Sequence, residues 1–156
     1  VLEEKLAEFN VEVVYKQVLD DKPEEITAAI KTAIEEKGAE MVLCTGGMSV
    51  DPDDRTPLAI KNTGARIVSY GAPVLPGAMM LVSYYTNEAD GRVIPILGLP
   101  GCVMYAKRTI FDLVLPRVMA EDEITAEDIA KLGEGGLCLN CEVCTFPNCG
   151  FGKGGY

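Results

Sequence analysis

What most constrains this chain is an alternation between two hydrophobic periods. Ile26, Ala29, Ile30, Ala33 and Ile34 recur at helical spacing and paint one apolar stripe. Asp20-Asp21-Lys22-Pro23 supplies capping carboxylates and an N-terminal proline ahead of that stripe, and Gly38 is placed to end it. Residues 11–18 before it are rich in β-branched side chains and predict a strand. Residues 41–45 after it form a short apolar run bounded by Gly38 and Gly46-Gly47, which fits a strand buried on both faces. The unit is strand, helix, strand, as in a parallel sheet.

A second round follows. Thr56-Pro57 opens a short helix to Asn62, Gly64 ends it, and residues 65–70 return as a strand. Residues 77–85 and 92–97 predict a hairpin joined by the polar stretch 86–91, with the second arm running into Gly98-Leu99-Pro100-Gly101. Residues 102–115 are apolar on most sides and predict a long, deeply packed helix that Pro116 interrupts or kinks. Thr125 with Asp128 starts a last helix that Gly133 stops. Leu2, Leu6 and Phe9 share one side of what reads as the end of an amphipathic helix, so the chain is expected to be a piece of something longer.

The formal charge of −10 argues against nucleic acid or an anionic membrane as partner, because neither tolerates a strongly acidic face. No apolar run reaches the roughly 18 residues of a spanning helix. No targeting signal is legible, and a cytoplasmic location is expected. The absence of histidine removes Ser-His-Asp and Cys-His catalysis and histidine-ligated metals. Carboxylates, thiols, hydroxyls and backbone groups remain for chemistry.

Those groups concentrate in Thr45-Gly46-Gly47-Met48-Ser49-Val50-Asp51-Pro52-Asp53-Asp54-Arg55-Thr56-Pro57. The segment leaves the carboxyl end of a predicted strand and enters a helix, which is where ligands sit in open α/β sheets. Adjacent glycines let backbone N–H groups turn toward an anion. Asp51, Asp53 and Asp54 would repel a bare phosphate, and make chemical sense if magnesium bridges them to it. The structural alternative is a tight turn followed by solvated capping aspartates.

At this point the string resembles the molybdopterin-binding domain shared by molybdopterin adenylyltransferases and molybdopterin molybdenumtransferases, whose signature is TGG, a short variable loop, an Asp and a Thr. Thr45, Gly46, Gly47, Asp54 and Thr56 match it, Gly98-Leu99-Pro100-Gly101 matches the family's Leu-Pro-Gly turn, and Pro76-Gly77 its proline-glycine turn. The resemblance covers about residues 11–119. It implies a three-layer α/β/α domain with a central, mostly parallel sheet. The pterin dithiolene phosphate would be held by Thr45, Gly46, Gly47, Ser49, Asp54, Thr56 and Gly98 to Gly101. It further implies a homo-oligomer, trimer or dimer, with Asp54 as the catalytic residue that helps bind magnesium during adenylyl transfer or molybdate insertion. The alternative is a non-catalytic cofactor carrier or redox-linked sensor. The family's usual first strand is expected before Val1. Two departures stand out: Cys102-Val103 replaces the Asn-Pro that usually follows the Leu-Pro-Gly turn in the molybdenumtransferases, and Tyr70-Gly71-Ala72 carries no acid.

Cys102 sits at the start of a predicted helix, where a thiolate is stabilised, and is read either as a thiol ligand or as a buried core thiol. Cys44, Met79, Met80 and Met104 read as packing residues. The domain is expected to span residues 1–132, followed by a Gly/Cys-rich tail over 133–156 in which Gly133-Glu134-Gly135-Gly136 reads as a flexible linker. Cys138, Cys141, Cys144 and Cys149 stand there as C-x2-C-x2-C-x4-C, a spacing that can close around one metal or one cluster. An iron-sulfur cluster and zinc both remain open. The compact triple leans toward iron-sulfur, because zinc sites more often pair two separated knuckles.

Overall fold

The computed structural model describes residues 1–154; the last two residues of the predicted tail lie outside the described residues. Four strands form one sheet in the order β1-β4-β3-β2: β1 (Val42–Thr45), β2 (Arg66–Tyr70), β3 (Leu81–Thr86) and β4 (Val93–Leu99). β1 pairs parallel to β4, while β3 runs antiparallel to both β4 and β2. The sheet is therefore mixed: β1, β2 and β4 share one direction and β3 alone opposes it.

Side chains alternate across the strands and feed two cores. On one face Ile94 and Ile96 of β4 and Leu81 of β3 pack with Ile30, Ile34 and Ile60 from α2 (Pro23–Glu35) and α3 (Thr56–Asn62). On the other, Leu97 and Leu99 meet Leu6 of α1 (Leu2–Ala7), Phe111, Val114 and Leu115 of α4 (Ile110–Met119) and Ile129 of α5 (Ala126–Lys131). Each such fully buried side chain contributes roughly 1.5–3 kcal/mol over leaving it in water. The three-layer α/β architecture follows from β4 carrying apolar residues on both faces.

Three local expectations are corrected. Residues 11–18 form no strand. β1 pairs with β4, and its outer edge faces an open cleft of about 1280 Å³ whose walls include residues 11–18, so this extended segment has no ladder partner. Val13, Val14 and Val18 stand exposed on it.

The long helix expected over 102–115 is a 3-10 turn, Gly101–Met104, followed by irregular chain and then α4. The start is set by Thr109, whose hydroxyl accepts from the Phe111 N–H while the Asp112 carboxylate accepts from the Thr109 N–H at 2.8 Å. This capping box satisfies orphan donors that an apolar run alone leaves open. Nor does Pro116 stop the helix: α4 runs through it to Met119, losing one internal hydrogen bond near an end already about to terminate.

Finally, 133–136 is not a free linker. Leu132–Gly135 is a 3-10 turn, and Leu75 clamps the segment after it by donating to Gly136 O at 2.6 Å and accepting from the Cys138 N–H at 2.8 Å. The glycines serve close approach: a Cβ on Gly136 would collide with Pro73 O, and one on Gly152 with Leu113. Phe151 then anchors the tail in the core, 4% exposed.

Candidate functional site

Thr45 ends β1 and Leu99 ends β4, and the two are direct partners in the parallel register, with Cys44 opposite Gly98. The two glycine turns, separated by about fifty residues in sequence, thus leave adjacent strands at the same carboxyl edge. Met48 lies over Gly98: a Cβ there would stand 2.5 Å from Met48 Cε, so the methionine end would have to move to admit one. Met48, 3% exposed, fastens the first turn onto the second.

The first turn is closed by Thr56 at the head of α3. Its hydroxyl donates to Gly46 O at 2.8 Å and its N–H to Gly47 O at 3.3 Å. With the hydroxyl committed to Gly46, Thr56 positions the turn. Gly46 and Gly47 adopt φ of 81° and 61°, and a Cβ on Gly47 would sit 2.7 Å from Thr56 Oγ1. Glycine is needed at Gly47 on both counts. Thr45, Gly46 and Ser49 are exposed at the mouth, whereas Gly98, Leu99 and Pro100 are buried beneath it and Gly101 is exposed.

The aspartates divide by role. Asp51 accepts from the Asp53 N–H at 3.0 Å through its side chain and from the Asp54 N–H at 2.9 Å through its carbonyl, an Asx-type turn that folds the loop back. Asp53 is exposed. Asp54 is half-buried, and its Oδ2 is, among the described residues, the buried side-chain atom without a hydrogen-bond partner. A buried carboxylate oxygen left unpaired costs on the order of 1–3 kcal/mol or more, so such an atom calls for an explanation.

Tyr70 escaped the sequence reading. It ends β2 at the far edge of the sheet, yet its hydroxyl reaches Ser49 O at 3.5 Å. Burial and the Asp54 charge push its phenol up from the ordinary value, which places it within electrostatic reach of Asp54. β2 shares its direction with β1 and β4, so all three present their carboxyl ends to this edge. The available sequence signal was only a tyrosine at the end of a predicted strand.

The thiols separate in the same way. Burial pushes Cys44 up to about 12, as expected of a packing residue. Cys102 heads a four-residue 3-10 turn rather than a long helix, and burial, outweighing nearby N–H groups and Lys5, pushes it up as well. Cys102 is half-buried and belongs to neither core cluster. Met80 is buried in the core, while Met104 is exposed.

In the tail, Cys138, Cys141, Cys144 and Cys149 all line one cavity of about 100 Å³ with Lys107 and Arg108. Arg108 lies over the Phe146 ring, 4.7 Å from its centroid, and pairs with Asp112 at 2.9 Å. The Phe146 N–H, then the Arg108 guanidinium, hold the Cys144 thiol below its usual range. Among the described residues no three Cys, Asp or Glu side chains are gathered tightly enough to hold a single metal ion. No helix among them is long and apolar enough to cross a membrane.

Two glycine turns on paired parallel strand ends, one of them followed by an acid loop and a helix, share the carboxyl edge of an α/β domain, where ligands sit in open α/β sheets. Residues 1–120 match the family model described as probable molybdopterin binding domain. The chain belongs to that family. It is a molybdopterin-binding domain of the molybdenum-cofactor biosynthesis type, with molybdopterin as its ligand. No curated protein matches it.

Proposed function

We propose that the chain holds the molybdopterin phosphate between the 45–47 and 98–101 turns and acts on it in a magnesium-dependent step, adenylyl transfer or the adenylate-linked insertion of molybdate. The observation that carries this reading is the unpartnered Oδ2 of Asp54 beside the first turn. Magnesium is characteristically bound by one or two carboxylates plus substrate phosphate rather than by an all-protein cage. One free, half-buried carboxylate oxygen fits that donor set, and a tight cluster of three acids is not needed.

The residues divide the work. Gly46 and Gly47 would offer backbone N–H groups to the phosphate, and Thr56 holds their turn by bonding Gly46 O. Met48 locks this turn over Gly98, so both turns face one ligand as a rigid pair. Asp54 would hold the magnesium ion, which offsets phosphate charge when bound. Tyr70 borders the same loop and screens Asp54 from one side. In a chain of net charge −10, local donors and a cation must supply the attraction for a phosphate.

The test is turnover of molybdopterin with ATP and magnesium, or of its adenylate with molybdate, set beside pterin binding. Asp54→Asn is expected to lower turnover on the order of a hundredfold or more while pterin binding persists. Wild-type protein that binds the pterin and turns over in neither assay is a carrier, and the catalytic reading fails.

A further inference from the structure

The C-terminal tail is not used by the site described above, yet it is the part of the molecule where the most reactive groups are brought together. Four cysteines from a stretch of twelve residues line one cavity of about 100 Å³. Such a volume is several times the roughly 10–15 Å³ that admits one water-sized probe. The four cysteines share this one cavity, although no three of these side chains are gathered as a single-ion site among the described residues. The spacing C-x2-C-x2-C-x4-C is closer to the compact iron-sulfur run than to the two separated knuckles usual for zinc. A cluster holds its thiolates at the corners of a larger tetrahedron with inorganic sulfide and iron filling the middle.

The walls suit an anion. Lys107 and Arg108 both line the cavity, and Arg108 is fixed there by the Phe146 ring and by Asp112. Four thiolates outweigh the positive charge of an iron-sulfide core, so the ligated cluster is anionic. In a chain with ten more acids than bases, two adjacent cations at this one cavity are a specific provision. Phe146 and Phe151 pack against each other with centroids 6.3 Å apart and close the apolar side. The cavity is also anchored to the body: Leu75 clamps Gly136 and Cys138, and the Gly152 N–H donates to Gly135 O at 2.7 Å.

We infer that Cys138, Cys141, Cys144 and Cys149 bind a four-iron, four-sulfide cluster in this cavity, with Lys107 and Arg108 as its cationic wall. Each thiol releases its proton to solvent as its sulfur coordinates an iron, and no electron moves in the binding step. The site is independent of the pterin reading and stands or falls separately from it.

The experiment is anaerobic incubation of the full chain with ferrous and ferric iron in equal amounts and with sulfide, followed by desalting and analysis of metal, sulfide and visible absorption. The expected result is about four irons and four sulfides per chain with broad charge-transfer absorption. The double variant Cys141→Ser/Cys144→Ser, at two exposed positions, is expected to retain less than half the iron, and Cys44→Ser to retain all of it. Circular dichroism identifies a variant that fails to fold, in which case wild-type stoichiometry decides. Wild-type protein that keeps no iron, that takes up one zinc in preference and excludes sulfide, or whose iron is lost equally on Cys44→Ser overturns the inference.

Discussion

The carboxyl edge of the sheet and the cysteine tail are both glycine-rich and both exposed, yet they are held by different means. At the edge, the turns inherit their positions from paired strands: Thr45 lies opposite Leu99, Met48 sits over Gly98, and Thr56 bonds Gly46. In the tail no strand is formed between 138 and 154; backbone bonds to Leu75 and Gly135 and one buried phenylalanine hold the chain. Its four cysteines line one cavity. One region is set by strand pairing, whereas the other is held by anchors at its two ends.

The largest effect is expected where the two regions join. Asp112 is 8% exposed and takes Lys5 from α1 at 2.7 Å, Arg108 beside the tail at 2.9 Å, and the Thr109 N–H. Asp112→Ala leaves two cations facing a buried gap, and should cost about 3–5 kcal/mol in urea unfolding. A loss below about 1 kcal/mol would mean that body and tail are not tied through this carboxylate.

Next comes Gly47→Ala, which meets Thr56 Oγ1 and must adopt a left-handed φ. A stability loss of about 1–3 kcal/mol and loss of pterin binding are expected, from thermal melts and titration, with iron uptake by the tail unchanged. If the tail loses its iron as well, the two regions are not independent. Thr56→Val removes the donor to Gly46 O while keeping the shape, and should cost about 1 kcal/mol and weaken pterin binding.

The smallest effect concerns Tyr70. Its phenol is pushed up by burial first and by the Asp54 charge second. Replacing Asp54 by Asn removes a negative charge, so the Tyr70 titration followed by NMR should move down toward the ordinary value without reaching it. No movement would place Tyr70 outside the site.

Much of this was legible in sequence because local chemistry dictated it. Pro23 and Gly38 bracket α2, Thr125 and Asp128 cap α5, and the glycine pair at Gly46-Gly47 needs positive φ. What escaped was decided at long range. The pairing of β1 with β4 skips two intervening strands, so the contact between the two turns has no local signature beyond the resemblance. Residues 11–18 have strand propensity but stay unpaired across the cleft from the outer edge of β1, and propensity alone does not make a ladder. The apolar run after Cys102 masked the Thr109 and Asp112 capping box that sets where α4 starts. The glycines of 133–136 looked like freedom and are close contacts with Pro73 and the tail.

Titration of molybdopterin into the full chain, followed residue by residue through backbone amide shifts, tests the central claim most directly. The account predicts saturable binding with the largest shifts at Gly46, Gly47 and Gly98 to Gly101, and a response at Tyr70. Saturable binding that shifts amides elsewhere and leaves both turns unmoved would contradict it.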